Sequence, residues 1–185
     1  WGGRGAEGKI TTIEYARAHK IPYLGLCYGM QLAVVEFARN VLGWKDAQSQ
    51  EVDPHSQHLV VHMIPTQKRI LENRAYGGTM RLGTWECTVK PGTLAHAMYN
   101  KDLISERHRH RYEFNDEYAE DLEKAGLVIS GRSVKENLVE IIELPKSMHP
   151  FFIGTQGHPE YKSRPLKPHP MFVALMKASK QHTLK

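Results

Sequence analysis

The stretch Tyr23-Leu24-Gly25-Leu26-Cys27-Tyr28-Gly29 decides the fold class of this 185-residue chain. Its beginning is short and apolar, which predicts a strand buried on both faces at residues 23–26. Its end predicts a tight turn into a helix that covers residues 30–42. Upstream, apolar residues at helical spacing predict another helix over residues 7–19. A helix, a buried strand, a tight turn and a second helix are typical of a parallel α/β sheet.

Beyond these elements, the sequence predicts further strands and helices in one domain. Residues 43–78 are polar and are predicted to be mostly irregular, with one strand at residues 59–64. The remaining predicted strands are at residues 80–90, 127–130, 138–144 and 151–155, and the remaining helices at residues 93–99, 116–125 and 170–180. Because no repeat or linker interrupts the chain, we expect a single domain.

The composition is that of a globular protein, with 41% apolar and 24% charged residues. No segment approaches the roughly 18 uninterrupted apolar residues that a membrane-spanning helix needs. Cys27 and Cys87 lie in unlike contexts and do not form a disulfide framework of the secreted kind. We therefore expect a soluble, cytoplasmic protein that does not associate with a membrane.

Cys27 is a candidate nucleophile because it lies between a buried strand and a helix, with Gly25 and Gly29 two residues away on either side. Such glycines permit a sharp turn that projects the central side chain from the edge of a sheet. The helix that follows offers free backbone N–H groups, which favour a thiolate and an oxyanion. The alternative is that Cys27 is a buried structural cysteine, which is common for a free thiol.

His158 and Glu160 are the candidate partners of Cys27, in the segment Gly157-His158-Pro159-Glu160 just after the predicted strand at residues 151–155. The proline restricts His158 to extended conformations, so the two side chains are able to point to the same side. A histidine base held by a carboxylate is the arrangement that activates a cysteine. Taken alone, the segment also fits a surface loop.

The basic and histidine residues suggest neither a nucleic-acid site nor a metal site. Residues 107–111 alternate Arg and His, and the net charge is +5. The segment is short and lacks the clustered aromatic side chains of a stacking platform, so we expect no nucleic-acid partner. None of the 11 histidines has the spacing of a zinc site, so we expect no bound metal.

The cysteine elbow and the late His-x-Glu pair resemble those of the class I (triad) glutamine amidotransferases. Five further motifs, in the same order, resemble the glutaminase domain of the CTP synthase family. They are Arg4-Gly5-Ala6-Glu7-Gly8-Lys9, Gly29-Met30-Gln31, Gly77-Gly78-Thr79-Met80-Arg81-Leu82-Gly83, Glu106-Arg107-His108-Arg109-His110-Arg111-Tyr112-Glu113 and Ser163-Arg164-Pro165. The resemblance covers nearly the whole chain. It implies a three-layer αβα sandwich with a mainly parallel central sheet.

The resemblance also implies roles for individual residues. Cys27 would attack the side-chain amide of glutamine, His158 would protonate the departing ammonia, and Glu160 would orient His158. The backbone N–H of Tyr28 and that of Gly2 would hold the oxyanion. Glutamine itself would be bound by Gln31, Glu51 and Arg111. A lid formed by Arg4, Gly5 and Glu7 would respond to the activator GTP.

The resemblance further implies partners outside residues 1–185. Ammonia would pass to a synthetase domain of the same polypeptide, which uses ATP and Mg to aminate UTP to CTP in a homotetramer. We expect residues 1–185 to be the glutaminase domain without its N-terminal strands and without the synthetase domain. No cofactor is expected within this domain.

Two departures from the family pattern bear on the site. The family usually carries leucine at the position of Tyr28 and an aromatic residue at that of Gly157. Tyr28 keeps its backbone N–H, so an oxyanion donor is retained. The loss of a bulky neighbour at Gly157 is expected to loosen the segment that places His158.

Two other functions remain open from the residues alone. One is a free-standing cysteine hydrolase of the same fold that acts on γ-glutamyl amides, although such an enzyme has no need of the motifs at residues 77–83 and 106–113. The other is a non-catalytic module for assembly or regulation.

Overall fold

The computed structural model describes residues 3–63 and 80–183, which form five helices and nine strands. The helices are α1 (Ala6–Ala18), α2 (Tyr28–Asn40), α3 (Leu94–Tyr99), α4 (Ala119–Lys124) and α5 (Pro170–Thr183). The strands are β1 (Tyr23–Leu26), β2 (Gln48–Ser49), β3 (Leu59–Met63), β4 (Arg81–Val89), β5 (Leu103–His110), β6 (Tyr112–Phe114), β7 (Val128–Ser133), β8 (Val139–Glu143) and β9 (Phe152–Thr155). Short 3₁₀ turns are found at Asp116–Tyr118 and Pro159–Tyr161. No helix in the described ranges is long and apolar enough to cross a membrane.

The strands form two sheets. The larger has the order β1-β9-β8-β7-β4-β5, and the smaller has the order β2-β3-β6. The predicted α/β fold is confirmed, but the prediction of a mainly parallel sheet is wrong for the described strands. In the larger sheet β1 and β9 run parallel, and every other described neighbouring pair is antiparallel. For β7 with β8 and for β8 with β9 the reason is the length of the connection, because residues 134–138 and 144–151 are too few for the crossover that parallel neighbours require.

Apolar cores lie on both faces of the larger sheet, which makes the predicted three layers. On one face, Phe152 and Ile142 pack with α1 and α2; on the other, Ile153 packs with α3 and α5. Successive strand residues point to opposite faces, so the run of buried residues in β8 and β9 supplies both cores at once. The carboxyl ends of β1 and β9 are thereby held in a fixed place between two layers of helices.

The strand β5 was not predicted from the sequence. Arg107 and Arg109 are exposed, whereas Glu106, His108 and His110 are buried, so the segment alternates with a period of two residues. It forms a long hairpin with β4 that pairs Arg81 with His110. The alternation was visible in the sequence, but polar side chains occupy the inward positions where a strand normally carries apolar ones.

One buried ion pair ties α1 to α2. Glu36 is completely buried, and the Arg17 guanidinium donates to both of its oxygens, at 3.0 Å and 2.9 Å from Nε and at 2.7 Å from Nη2. Asn40 adds a third donor, at 3.2 Å. The stability of a fully buried carboxylate depends on its hydrogen-bond partners, because an unpaired charge in a medium of low dielectric constant is strongly destabilising.

We expect Arg17→Met to lower the free energy of unfolding by about 3 kcal/mol, since it leaves the Glu36 carboxylate buried without its cation. Glu36→Gln in the Arg17→Met background should recover part of that loss. Lys124→Met is the matched control, because Lys124 pairs with Glu120 on an exposed face of α4 and should show no measurable change. Chemical denaturation measures all three. Equal midpoints for Arg17→Met and Lys124→Met would contradict the account.

Candidate active site

Cys27 occupies a sharp turn between β1 and α2. Its backbone angles are φ 48° and ψ −100°, in the left-handed half of conformational space that non-glycine residues rarely adopt. Its N–H donates to the carbonyl oxygen of Thr155 at 2.7 Å, which continues the ladder between β1 and β9. The strained position is therefore held by the sheet, and such strain is concentrated at functional sites.

Gly25 permits this turn because the chain passes very close to itself. A Cβ atom at Gly25 would lie 2.8 Å from the carbonyl carbon of Gly29 and 2.8 Å from the Tyr23 hydroxyl. That hydroxyl donates to the Gly29 carbonyl at 2.8 Å and closes the turn. Of the two glycines expected to be needed, Gly25 has the steric requirement, since a Cβ at Gly29 would make only ordinary contacts.

His158 and Glu160 lie together just beyond the end of β9. Nδ1 of His158 is 2.6 Å from Oε1 of Glu160. Because a carboxylate only accepts, Nδ1 carries the proton and a neutral ring presents a lone pair at Nε2. That Nε2 atom is buried, and among the described residues it has no hydrogen-bond partner.

The glycine before His158 does not leave this segment unsupported. The Gly157 N–H donates to the Thr155 hydroxyl at 3.1 Å, and the His158 N–H donates to the Arg107 carbonyl at 2.8 Å. A Cβ at Gly157 would lie 3.0 Å from Cβ of Glu106 on β5. The backbone at His158 is thus fixed by β9 on one side and by β5 on the other.

Cys27 and His158 follow the carboxyl ends of adjacent parallel strands, so they share one edge of the sheet. Only 5% of the surface of Cys27 is exposed. Its Sγ atom accepts a hydrogen bond from the side-chain amide of Gln156 at 3.4 Å. Burial raises the pKa of the Cys27 thiol to about 11, against the opposing effects of the Tyr28 N–H and the Gln156 amide. Burial thus outweighs the helix N-terminus, which was expected to favour the thiolate. A base is needed to remove the proton.

A cavity of about 320 Å³ is lined by Glu51, Met80, Arg109, Arg111 and Tyr112. Glu51 in this lining also acts electrostatically on Cys27. The structure therefore brings together Glu51 and Arg111, two of the residues assigned to substrate binding. Arg109 was missed by the sequence analysis. The two-residue alternation of β5 was the available signal, because it places Arg109 on the same exposed side as Arg111.

Gln31 does not line this cavity but lies beneath it. Its side chain is buried, and its Nε2 donates to the Tyr112 carbonyl at 2.7 Å and to Oε1 of Gln156 at 3.1 Å. The Tyr112 carbonyl also accepts from Nδ1 of His110, at 2.9 Å. Burial lowers the pKa of His110 to about 3, so the ring is neutral at physiological pH. Tyr112 is therefore held from two directions.

The remaining predicted residues are distributed around the start of α1. Arg4 is exposed, Gly5 caps the helix with φ 70°, and Glu7 accepts from Arg39 at 2.8 Å and from Gln48 at 3.4 Å. Tyr28 is half-buried, with the Lys9 ammonium 5.0 Å from its ring centre. Gly2 lies outside the described residues, as do residues 77–79 of the motif at residues 77–83. Within residues 3–63 and 80–183, no cluster of three or more His, Cys, Asp or Glu side chains is arranged to hold a metal ion.

A strained cysteine at a strand-to-helix turn, with a His-carboxylate pair after the end of the neighbouring parallel strand, is typical of cysteine-dependent hydrolases and amidotransferases. The family model for class I glutamine amidotransferases matches residues 1–178. The chain therefore belongs to the class I glutamine amidotransferase family.

Similar proteins narrow the assignment within this family. The CTP synthase of Carboxydothermus hydrogenoformans is 58% identical over 179 residues, which are 97% of this chain and 32% of that protein. The CTP synthase of Caldanaerobacter subterraneus is 59% identical over 178 residues, with 96% and 32% covered. The structure of the Trypanosoma brucei CTPS glutaminase domain with bound acivicin is 37% identical with a TM-score of 0.89, and the match covers 98% of this chain and 68% of that one. The chain thus corresponds to the glutaminase domain of CTP synthases, and it spans about a third of the length of these curated relatives.

Proposed function

We propose that this chain hydrolyses L-glutamine to glutamate and ammonia, with Cys27 as nucleophile, His158 as base and acid, and Glu160 as the group that orients His158. The observation that carries the proposal is that the carboxyl ends of β1 and β9 lie side by side at one end of the sheet. There, the turn at Cys27 and the 2.6 Å contact between His158 and Glu160 follow the ends of two hydrogen-bonded parallel strands.

The proposed reaction has two stages. In the first, Nε2 of His158 removes the proton from Cys27, and the sulfur attacks the amide carbon of glutamine. The carbonyl oxygen becomes negative and accepts hydrogen bonds from the backbone N–H of Tyr28 and, by family resemblance, from that of Gly2. His158 then returns the proton to the leaving nitrogen, which departs as ammonia and leaves a thioester on Cys27. In the second, water activated by His158 hydrolyses the thioester to glutamate.

The cavity supplies opposite charges for the α-carboxylate and the α-ammonium group of an amino acid. We assign Arg111 to the α-carboxylate, because a guanidinium binds a carboxylate through two parallel hydrogen bonds. Glu51 suits the α-ammonium group, which is bonded to the same carbon as the α-carboxylate. Arg109 adds a second cation to the same wall. Nε2 of Gln31 already donates a hydrogen bond to the carbonyl of Tyr112, which lines the cavity. We therefore assign Gln31 an indirect part in binding, which is to hold Tyr112 in place.

A glutamine-mimicking electrophile tests the nucleophile directly. Acivicin is bound in the Trypanosoma brucei relative, and we expect it to label Cys27 here while leaving Cys87 unlabelled. His158→Ala should slow the labelling and lower the rate of glutamine hydrolysis about a thousandfold, because the buried thiol loses its base. Glu160→Gln should cause a smaller loss in both rates, since the ring remains but is less firmly oriented.

Two controls separate this role from a general loss of structure. Cys87→Ala and His55→Ala replace a cysteine and an exposed histidine outside the site and should leave both rates unchanged. Peptide mass spectrometry locates the label, and ammonia release gives the rate. Equal, slow labelling of both cysteines in wild type and in His158→Ala would contradict the catalytic proposal and favour a non-catalytic module.

The function of the longer protein is a further proposal, supported by the full-length CTP synthases that this chain matches. In that proposal, ammonia released at Cys27 reaches a synthetase domain of the same polypeptide, where ATP and Mg support the amination of UTP to CTP within a homotetramer. GTP acts as the activator through the segment of Arg4, Gly5 and Glu7. This segment adjoins the site because Lys9, in the same helix, lies over the ring of Tyr28.

Dependence of glutamine hydrolysis on GTP distinguishes this assignment from a free-standing hydrolase. In the polypeptide that contains this chain, we expect GTP to raise the rate of hydrolysis and Arg4→Ala to reduce that activation. The basal rate without GTP is the internal reference for each variant. Hydrolysis of simple γ-glutamyl amides that is fast and indifferent to GTP would favour the free-standing hydrolase.

A further inference from the structure

We propose that Gln156 is a positioning residue for the Cys27 thiol, with a side-chain amide that fixes the sulfur and stabilises the thiolate when it forms. The proposal rests on the function proposed above, because it concerns the same nucleophile. Gln156 belongs to none of the residues to which the sequence analysis assigned a role.

Gln156 is placed by its own backbone. It is fully buried, and its N–H donates to the Glu140 carbonyl on β8 at 2.8 Å. The residue before it, Thr155, ends β9 and accepts from the Cys27 N–H. The start of the Gln156 side chain is therefore fixed relative to Cys27 by two strands and a continuous ladder of hydrogen bonds.

The orientation of the Gln156 amide is set by Gln31. Nε2 of Gln31 is a donor, so the group that it meets at 3.1 Å is the Gln156 oxygen. This turns the Gln156 nitrogen toward Sγ of Cys27, at 3.4 Å. Gln31 is fixed in turn by its 2.7 Å bond to the Tyr112 carbonyl. One chain of hydrogen bonds thus runs from the wall of the cavity to the nucleophile.

This geometry has a consequence for the chemistry. An N–H that points at sulfur stabilises the thiolate more than the neutral thiol, and its effect is largest where water is excluded. The charged groups that act on Cys27 are Glu160 and Glu51, and both oppose formation of a thiolate. The hydrogen bond from Gln156 counteracts the effect of these two carboxylates on the thiolate, and it does so without adding a charge. It also holds the sulfur in one direction before glutamine arrives.

Two substitutions at Gln156 separate donation to sulfur from simple packing. Gln156→Met nearly preserves volume and removes both polar atoms. Gln156→Glu keeps an oxygen for Gln31 but replaces the donor with a group that is negative at high pH. Gln181→Met, on an exposed turn of α5, is the matched control.

The measurement is the rate of iodoacetamide alkylation at Cys27 between pH 7 and pH 10, followed by peptide mass spectrometry with Cys87 as internal reference. In wild type we expect the rate to rise about tenfold per pH unit, because the thiol titrates at about 11. Gln156→Met should lower the Cys27 rate about tenfold at each pH, and Gln156→Glu should lower it further, with Cys87 unaffected in both. Gln181→Met should match wild type.

Opposite outcomes have distinct meanings. Loosened packing would expose Cys27 and make alkylation faster, so a faster or unchanged rate in folded Gln156→Glu overturns the proposal even if Gln156→Met does not fold. Iodoacetamide needs no bound glutamine, so the test is independent of turnover. Slower alkylation in a protein that does not hydrolyse glutamine would contradict the proposed function alone, whereas unchanged alkylation in an active glutaminase would contradict the role of Gln156 alone.

Discussion

The parallel pairing of β1 with β9 is the constraint on which the site depends. It aligns Leu26 with Thr155, and the hydrogen bond from Cys27 to Thr155 extends the pairing by one residue. The chain segments that carry Cys27 and His158 are far apart in sequence but leave the sheet at the same edge. β9 is buried and β1 is half-buried between two layers of helices, so the relative position of the two side chains is set by the cores rather than by flexible loops.

Buried polar groups complete the site around that pairing. Gln31 and His110 both donate to the Tyr112 carbonyl, and Gln156 links Gln31 to the sulfur of Cys27. Satisfied networks of this kind stabilise one arrangement of the core, because each alternative would leave a buried polar atom without a partner. Nε2 of His158 is buried without a hydrogen-bond partner among the described residues, and a ring nitrogen that is available to accept a proton is what the proposed first step requires.

The sequence predicted those parts of the fold that have a local cause. The strand Tyr23–Leu26 is confirmed because a short apolar run lies between a proline and a glycine turn, and α2 begins close to its predicted start. The β5 strand was missed because histidine and glutamate fill its inward positions. The sheet direction was wrong for most pairs because the two-helix pattern around β1 describes only one side of the sheet, whereas the short connections from β7 to β9 make those strands antiparallel.

The candidate site shows the same division. Cys27 and His158 stood out because glycine spacing and the His-Pro-Glu segment are local patterns, and their roles remain predictions. Gln156 has no local signature, since a lone glutamine acquires meaning only when strands are packed together. Arg109 had a signal in the two-residue alternation of β5, but only the packed structure shows that it lines the cavity. The role of Gln31 in binding also remains a prediction, and its position beneath the cavity depends on contacts with Tyr112 and Gln156, which are distant in the chain.

The central claim is that Cys27 carries the γ-glutamyl group during hydrolysis of glutamine. It is tested most directly by quenching the protein in acid during turnover and locating the adduct by mass spectrometry. We expect a glutamyl thioester on the peptide that contains Cys27, lost on treatment with hydroxylamine and absent from Cys27→Ala. Ammonia release without any adduct on Cys27, or with an adduct on another residue, would contradict it.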